Sequence, residues 1–247
     1  MIEVKNLTKT FGEKVVVNDT SWIAPDGKIT GFIGPNGAGK TTTLKMITGS
    51  LKATSGSVLL NGIDIAKNSL TAKKQFGFIS DSPDHFLRLK GIEYLNFMAD
   101  IYDVDQNSRM DFIEKTAKKF NIYDSLDNSI LSYSHGMRQK IMVMGVLIHN
   151  PSIWLLDEPL LGLDPQSAYD LKNMMREHCE KGNTVLFSTH VLEVAEKLCD
   201  RIIIINNGVI LFTGTVDELK EKYPGEDLEI IFLKITGREH LSEESDE

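Results

Sequence analysis

Short apolar runs alternate with stretches of helical spacing along most of the chain. Residues 2–7 and 15–23 alternate apolar and polar side chains, as half-buried edge strands do, and a turn at Gly12 separates them. Further short runs rich in apolar residues lie at 28–33, 153–156, 184–187 and 202–205. Predicted helices follow the first three of these runs. This alternation predicts an α/β fold with a mainly parallel central sheet and an antiparallel β edge subdomain.

A change of pattern marks a helical insert in the middle of the chain. From residue 83 to residue 149 the apolar spacing is helical and strand signals are few. The helices of the insert are predicted at 92–102, 109–120 and 137–148. We therefore expect one domain, in which residues 1–82 and 150–225 form the core with its β edge and residues 83–149 form the helical subdomain.

The end of the chain gives weaker signals. Asn206, Asn207 and Gly208 predict a hairpin turn after the last apolar run. Residues 226–247 are assigned to a C-terminal tail, of which 226–236 fit a helix or a strand equally well. The last ten residues contain five carboxylates, so we expect them to be solvated and mobile.

Composition and charge exclude several classes of protein. Apolar residues make up 41% and charged residues 25% of the chain, as in folded domains. The net charge of −8 disfavours nucleic acid as a partner, since binding it requires a high density of Lys and Arg. Cys179 and Cys199 lack the Cys and His neighbours of a metal or redox site, which predicts idle thiols. No apolar run approaches the roughly 20 residues that span a bilayer, and no signal peptide is visible, so we expect a cytoplasmic protein.

A glycine-rich loop between a predicted strand and a predicted helix matches the phosphate-binding pattern G-x-x-x-x-G-K-[ST]. The loop consists of Gly34, Pro35, Asn36, Gly37, Ala38, Gly39, Lys40 and Thr41. Its backbone N–H groups would surround phosphate oxygens, Lys40 would neutralise the β- and γ-phosphates, and the Thr41 hydroxyl would bind Mg²⁺. Thr42 would support the α-phosphate. Taken alone, the loop indicates a nucleoside triphosphate, and a chance glycine-rich turn is the alternative.

Two acids and a histidine follow later apolar strands. Asp157 and Glu158 come directly after residues 153–156, and His190 follows residues 184–187. The carboxyl ends of parallel strands meet at one edge of a sheet, where ligands bind. We expect Asp157 to hold Mg²⁺, Glu158 to activate water as a general base, and His190 to reach the γ-phosphate. Solvated acids and a structural histidine are the alternatives.

The order and spacing of these motifs resemble the ATP-binding domain of ABC transporters over nearly the whole chain. Between the two nucleotide motifs, residues 133–139 (Tyr-Ser-His-Gly-Met-Arg-Gln) are similar to that family's signature sequence. The resemblance implies a P-loop NTPase fold, with Ser134 and Gly136 at a helix N-terminus that faces the ATP held by a second subunit. It also implies that residues 162–165 form a loop across the dimer interface and that Phe11 stacks on adenine.

The sequence departs from the family pattern at three positions. His135 stands where the family usually has Gly, and Met137 stands where it has Gln. Asp81 occupies the place of a glutamine that the resemblance would lead us to expect after residues 78–80. A carboxylate there could still touch Mg²⁺ or its water, but it cannot donate an amide hydrogen bond. These changes bear on the rate of hydrolysis and on its coupling to transport.

The resemblance implies an ATPase that dimerises around ATP and powers a separate transmembrane permease from the inner face of the cell membrane. The second ATP-binding subunit is an identical or homologous chain. Residues 86–93 and 228–237 are similar to the exporter branch, which favours export over import. The alternatives are a non-hydrolysing regulatory subunit, a soluble ABC ATPase that acts on nucleic acid or the ribosome, and a kinase or GTPase that shares only the phosphate loop.

Overall fold

The computed structural model describes residues 1–80 and 86–237, and it confirms the α/β fold with a mainly parallel sheet. The strands are β1 (Ile2–Phe11), β2 (Lys14–Ala24), β3 (Ile29–Ile33), β4 (Ser55–Leu60), β5 (Ile63–Asp64), β6 (Phe76–Ile79), β7 (Ile153–Asp157), β8 (Thr184–Thr189), β9 (Arg201–Asn206) and β10 (Val209–Gly214). The α-helices are α1 (Lys40–Ile47), α2 (Ser69–Lys73), α3 (Gly91–Ile101), α4 (Gln106–Lys119), α5 (His135–Leu147), α6 (Pro165–Glu180), α7 (Leu192–Leu198), α8 (Val216–Lys222) and α9 (Leu228–Thr236).

The described strands form two sheets. The first has the order β2-β1-β4-β5 and is antiparallel, as predicted for the β edge. The second has the order β10-β9-β3-β8-β7-β6, in which only β10 runs antiparallel to its neighbour. Every residue of β3, β7 and β8 is buried, which explains why these strands lack an alternating pattern in the sequence.

The parallel order brings three chain segments to one edge of the second sheet. Strand β8 lies between β3 and β7, and Ile33 pairs with Thr189 while Asp157 pairs with Ser188. Three segments therefore begin at the carboxyl ends of neighbouring strands, side by side along one edge of the sheet. They are the glycine-rich loop, the acidic pair and the segment from Ser188 to His190. Long-range strand pairing thus assembles the candidate site from parts that are far apart in the sequence.

Helices α3, α4 and α5 lie where the sequence predicts a helical insert, and they share one buried cluster that includes Leu95, Ile113 and Ile141. Helix α4 begins three residues before its predicted start. The cause is Asp105, whose carboxylate accepts hydrogen bonds from the N–H groups of Asn107 and Ser108 and so caps the helix. Apolar periodicity does not detect such a cap, because the first turn of the helix is exposed.

The predictions for the hairpin turn, residues 226–236, Cys179 and the tail have different outcomes. Asn207 and Gly208 form the turn between β9 and β10 with φ angles of 47° and 77°, as expected for a two-residue hairpin. Residues 228–236 are a helix rather than a strand. Cys179 is buried, and burial raises the pKa of its thiol to about 11, which keeps it protonated. The predicted mobile tail, residues 238–247, lies outside the described residues.

Candidate functional site

A cavity of about 370 Å³ lies at the carboxyl edge of the central sheet. Its lining unites the predicted phosphate loop and the predicted acidic pair, and it consists of Lys14, Val16, Pro35, Asn36, Gly37, Gly39, Lys40, Thr41, Thr42, Asp157 and Glu158. Lys14 and Val16, which sequence reasoning missed, come from β2 and lie on one side of that strand. Their only sequence signal is their i, i+2 spacing beside the Gly12 turn.

Two glycines of the loop are required for different reasons. A Cβ atom on Gly34 would lie 2.3 Å from the carbonyl oxygen of Ile205, so close packing against β9 demands glycine there. Gly39 has a φ angle of 109°, a left-handed conformation that only glycine adopts without strain. Gly34 and Ala38 are buried and do not line the cavity. Packing within the fold, as well as access of phosphate to the backbone, therefore explains the glycine pattern.

The N-terminus of α1 opens into this cavity. Gly39 is its N-cap and provides no side-chain hydrogen bond, so the first N–H groups of the helix have no cap. The Lys40 ammonium donates to the carbonyl oxygens of Gly34 at 2.7 Å and Pro35 at 3.3 Å, which holds the loop around it. Burial lowers the pKa of Lys40 below its ordinary value, and the negative charges of Glu158 and Asp157 oppose that shift. An uncapped helix end beside a buried ammonium is a suitable site for a phosphate chain.

The Ser188 hydroxyl connects the two acids. It donates to Asp157 Oδ1 at 2.5 Å and accepts from the backbone N–H of Glu158 at 3.0 Å. Asp157 Oδ2 is buried and has no hydrogen-bond partner within residues 1–80 and 86–237. A buried carboxylate oxygen without a donor is a fitting ligand for a hard cation such as Mg²⁺. Ser188 is a candidate site residue that sequence reasoning did not single out.

Glu158 lies between two basic side chains. Its Oε1 atom is 2.9 Å from His190 Nδ1 and 3.9 Å from Lys40 Nζ. Since a carboxylate accepts hydrogen bonds, Nδ1 carries the proton in this pair. The φ angle of Glu158 is 49°, an uncommon value for a residue other than glycine, and it turns the chain where β7 ends. The structure thus brings together the three residues predicted to be catalytic.

Comparison with known proteins agrees with this arrangement. The family model described as ABC transporter matches residues 17–161. The chain is 34% identical over 238 residues to the ABC-type transporter ATP-binding protein EcsA of Bacillus subtilis, with 96% of each chain covered. The chain belongs to the ABC transporter family. As an ABC ATPase, it is expected to take ATP into the cavity described above.

Two further similarities cover most of the chain. The linearmycin resistance ATP-binding protein LnrL of Bacillus subtilis is 31% identical over 237 residues, which cover 96% of this chain and 76% of LnrL. A solved structure titled as the ATP binding subunit of an ABC transporter superposes with a TM-score of 0.91 at 31% identity. That superposition covers 96% of this chain and 99% of the other, so the two share their fold over most of their length.

The residues that resemble the family's signature sequence do not line the cavity of the phosphate loop. Ser134 is the N-cap of α5, and its Oγ accepts a hydrogen bond from the N–H of Met137 at 3.3 Å. Neither Ser134 nor Gly136 lines the cavity. Instead, a Cβ atom on Gly136 would lie 2.9 Å from the carbonyl oxygen of Gly162, so the first turn of α5 rests on the loop that follows Glu158.

The two other predicted contacts remain predictions. The Phe11 ring is 49% exposed at the end of β1, and the Lys9 ammonium lies 4.7 Å from its centroid. Phe11 does not line the cavity, although Lys14 and Val16 of the same hairpin do. Asp81, the residue predicted to replace a glutamine near Mg²⁺, lies outside the described residues.

Proposed function

We propose that this chain is the ATP-hydrolysing subunit of an ABC exporter, that it dimerises around ATP, and that it drives a separate transmembrane permease. The observation that carries the proposal is the position of Glu158, whose carboxylate contacts His190 and Lys40 at the rim of the cavity formed by the phosphate loop. A base, a positioning histidine and a phosphate-binding lysine are the parts that hydrolysis of a triphosphate requires.

Thr41 and Asp157 are the residues that would hold Mg²⁺. Both line the cavity, and Asp157 Oδ2, which has no hydrogen-bond partner among the described residues, offers a carboxylate oxygen. When bound, magnesium supplies positive charge to the phosphates and orients them. The Ser188 hydroxyl fixes the Asp157 carboxylate through its other oxygen, so the free oxygen keeps one direction.

The chain's own groups then divide the work of hydrolysis. The uncapped N-terminus of α1 and the Lys40 ammonium bind the β- and γ-phosphates, and Lys40 exchanges its carbonyl partners for phosphate oxygens. Glu158 accepts a proton from the attacking water. His190 holds the Glu158 side chain in place through Nδ1. Lys14 and Val16 border the same cavity from β2 and contact the part of ATP beyond the phosphates.

A second ATP-binding subunit, identical or homologous, completes each site. Ser134 and Gly136 do not line the cavity of their own chain, and we propose that their helix end contacts a partner's ATP. Leu161 is 58% exposed and Tyr169 is 61% exposed, and both lie near the loop that the family resemblance assigns to the dimer interface. These exposed side chains are suited to burial between two subunits.

The permease docks on the helical part of the chain. Phe86, Phe97 and Ile101 are between 44% and 52% exposed, and the rings of Phe86 and Phe97 are 5.7 Å apart. A cavity of about 770 Å³ lies nearby between α3 and α4. Among the described residues no helix has the length and apolar character to cross a bilayer, and a permease would supply that part. We propose that binding to such a permease places the protein on the inner face of the cell membrane.

Export is the direction we favour. The relative LnrL is named for linearmycin resistance, a role consistent with removal of a compound from the cell. The net charge of −8 continues to disfavour a role on nucleic acid. The contact between Glu158 and His190 positions a base for hydrolysis, and a non-hydrolysing regulatory subunit does not require it. This contact therefore favours the hydrolysing subunit over the regulatory one.

Replacing Glu158 with Gln tests the proposal. The side chain keeps its size and its contact with His190 but loses basicity, so kcat for MgATP hydrolysis should fall by about 100-fold or more. ATP binding should persist, and light scattering should detect an ATP-dependent dimer. The exposed Glu180→Gln variant provides a matched control with unchanged activity. Undiminished hydrolysis by Glu158→Gln, or a wild-type chain that binds no ATP, would refute the proposal.

A further inference from the structure

His135 rests on the backbone of a loop that begins at the proposed general base. A Cβ atom built on Gly162 would lie 2.4 Å from Cδ2 and 2.8 Å from Nε2 of the His135 ring. The edge of the imidazole therefore occupies the space that a side chain on Gly162 would need. Gly162 has a φ angle of 77°, so this contact is made where the loop turns.

Further contacts join the same loop to α5. The carbonyl oxygen of Gly162 faces Gly136, and the Lys140 ammonium lies 2.8 Å from Asp164 Oδ2. Asp164 in turn caps α6, since its carboxylate accepts from the N–H and the hydroxyl of Ser167. The lysine and its hydrogen bond hold the pKa of Asp164 far below its ordinary value. The end of the loop is thus fixed to α5 by charge, and its middle is fixed by the His135 ring.

The opposite end of the loop carries Glu158. The N–H of Leu161 donates to the carbonyl oxygen of Glu158 at 3.1 Å, so a single turn connects Glu158 to Gly162. Gly162 therefore follows Glu158 by only four positions along the chain, and one hydrogen-bonded turn joins them. His135 itself is exposed, and it lies beside Ser134 at the helix end proposed to face a partner's ATP.

We propose that His135 is a positioning residue that couples the N-terminus of α5 to the loop carrying Glu158. The inference rests on the proposed function. With the ring in place, the loop follows α5 when a second subunit's ATP draws that helix end inward, and Glu158 reaches its working position. Glycine, the residue expected here from the family resemblance, would leave the face of Gly162 uncovered and the loop free to shift relative to the helix.

A double-mutant cycle between His135 and Gly162 tests this coupling. His135→Ala removes the ring and keeps a good helix former, and it should lower kcat about 3- to 10-fold while KM for ATP stays within about twofold. Gly162→Ala should be more damaging, because the added Cβ collides with the ring. In the His135→Ala background that collision is absent, so the penalty of Gly162→Ala on kcat should shrink by about threefold or more.

Matched variants separate the contact from other causes. Gly182→Ala introduces the same backbone strain at a φ angle of 84° where no atom lies within 4 Å of the new Cβ, and it should leave kcat unchanged. His135→Gln, which restores a planar amide near the position of Nε2, should recover most of the lost kcat. Urea unfolding of each variant verifies that it is folded. If Gly162→Ala does not fold, the comparison of His135→Ala with His135→Gln still tests the role of the ring.

Additive effects of the two substitutions on kcat would overturn the inference. A rise in KM for His135→Ala without coupling to Gly162 would also overturn it, since that result indicates direct contact between His135 and phosphate. Failure of the proposed function would look different, because the unaltered chain would then show no hydrolysis, or the Glu158→Gln variant would hydrolyse ATP as fast as the unaltered chain. If the unaltered chain hydrolyses ATP and His135→Ala has the same kcat, the coupling is rejected and the proposed function still stands.

Discussion

Replacing Ser188 with Ala should destabilise the protein more than any ordinary serine substitution. The hydroxyl is fully buried, donates to the Asp157 carboxylate at 2.5 Å and accepts from the Glu158 N–H at 3.0 Å. A hydrogen bond to a charged group contributes about 1.5 to 3 kcal/mol and a neutral one about 0.5 to 1.5 kcal/mol. The free energy of unfolding should therefore fall by roughly 2 to 4 kcal/mol.

Urea unfolding of the ATP-free chain measures this loss. For a chain of this size the m-value is about 3 kcal/mol/M, so the midpoint should shift downward by about 1 M. kcat should fall as well, by about 10-fold, because Glu158 loses the contact that fixes its backbone. The matched control is Thr30→Val, which removes a fully buried hydroxyl that has no hydrogen-bond partner among the described residues.

Thr30→Val should be neutral or slightly stabilising, since no hydrogen bond is lost and a buried polar atom is removed. Both variants remove a buried hydroxyl, and the two hydroxyls lie on neighbouring strands. The difference between their unfolding free energies therefore measures the hydrogen bonds of Ser188 to Asp157 and Glu158. A Ser188→Ala midpoint equal to that of the unaltered chain would refute the reasoning, and so would a Thr30→Val loss as large as that of Ser188→Ala.

Two further predictions concern stability. Burial against Trp154, whose ring lies 4.2 Å from that of His178, lowers the pKa of His178 to about 4 from 6.5. The unfolded chain therefore binds a proton at this position more readily, and stability should fall as the pH drops from 6.5 to 4, by about 3 kcal/mol from this group. The pH dependence of the urea midpoint should be shallower in His178→Gln, and an identical slope would contradict the assignment. Gly34→Ala places a Cβ 2.3 Å from the Ile205 carbonyl oxygen and should lower the free energy of unfolding by about 1 to 3 kcal/mol. An unchanged urea midpoint for Gly34→Ala would contradict this prediction, because it would mean that β9 can shift away from the new Cβ without loss of stability.

The sequence predicts those parts of the fold that depend on local pattern. The buried strands β3, β7 and β8, the hairpin at Asn207 and Gly208, and the three long helices of the insert all follow from apolar spacing and turn residues. The short α2 and β5 escape prediction, because five and two residues are too few to show a period. Residues 226–236 stay ambiguous in the sequence, and packing of Ile231 and Phe232 into a buried cluster decides for a helix.

The candidate site likewise contains residues that a local sequence pattern predicts and residues that only long-range pairing brings together. Gly34 to Thr42, Asp157, Glu158 and His190 are contiguous motifs or strand ends, and the sequence identifies them. Ser188 becomes a partner of Asp157 only because β7 and β8 pair in a particular register. The contact between His135 and Gly162 likewise joins residues 27 positions apart, and only the three-dimensional structure reveals it.

The charges around Glu158 suggest how ATP changes the readiness of the site. The carboxylate lies near two basic groups, at 2.9 Å from His190 and 3.9 Å from Lys40. A γ-phosphate in the cavity attracts Lys40 more strongly than a single carboxylate does, because it carries more negative charge at closer range. Loss of the Lys40 contact would leave the Glu158 carboxylate in contact with His190. Arrival of ATP would thus bind the lysine and separate it from the carboxylate that we propose as the acceptor of a proton from water.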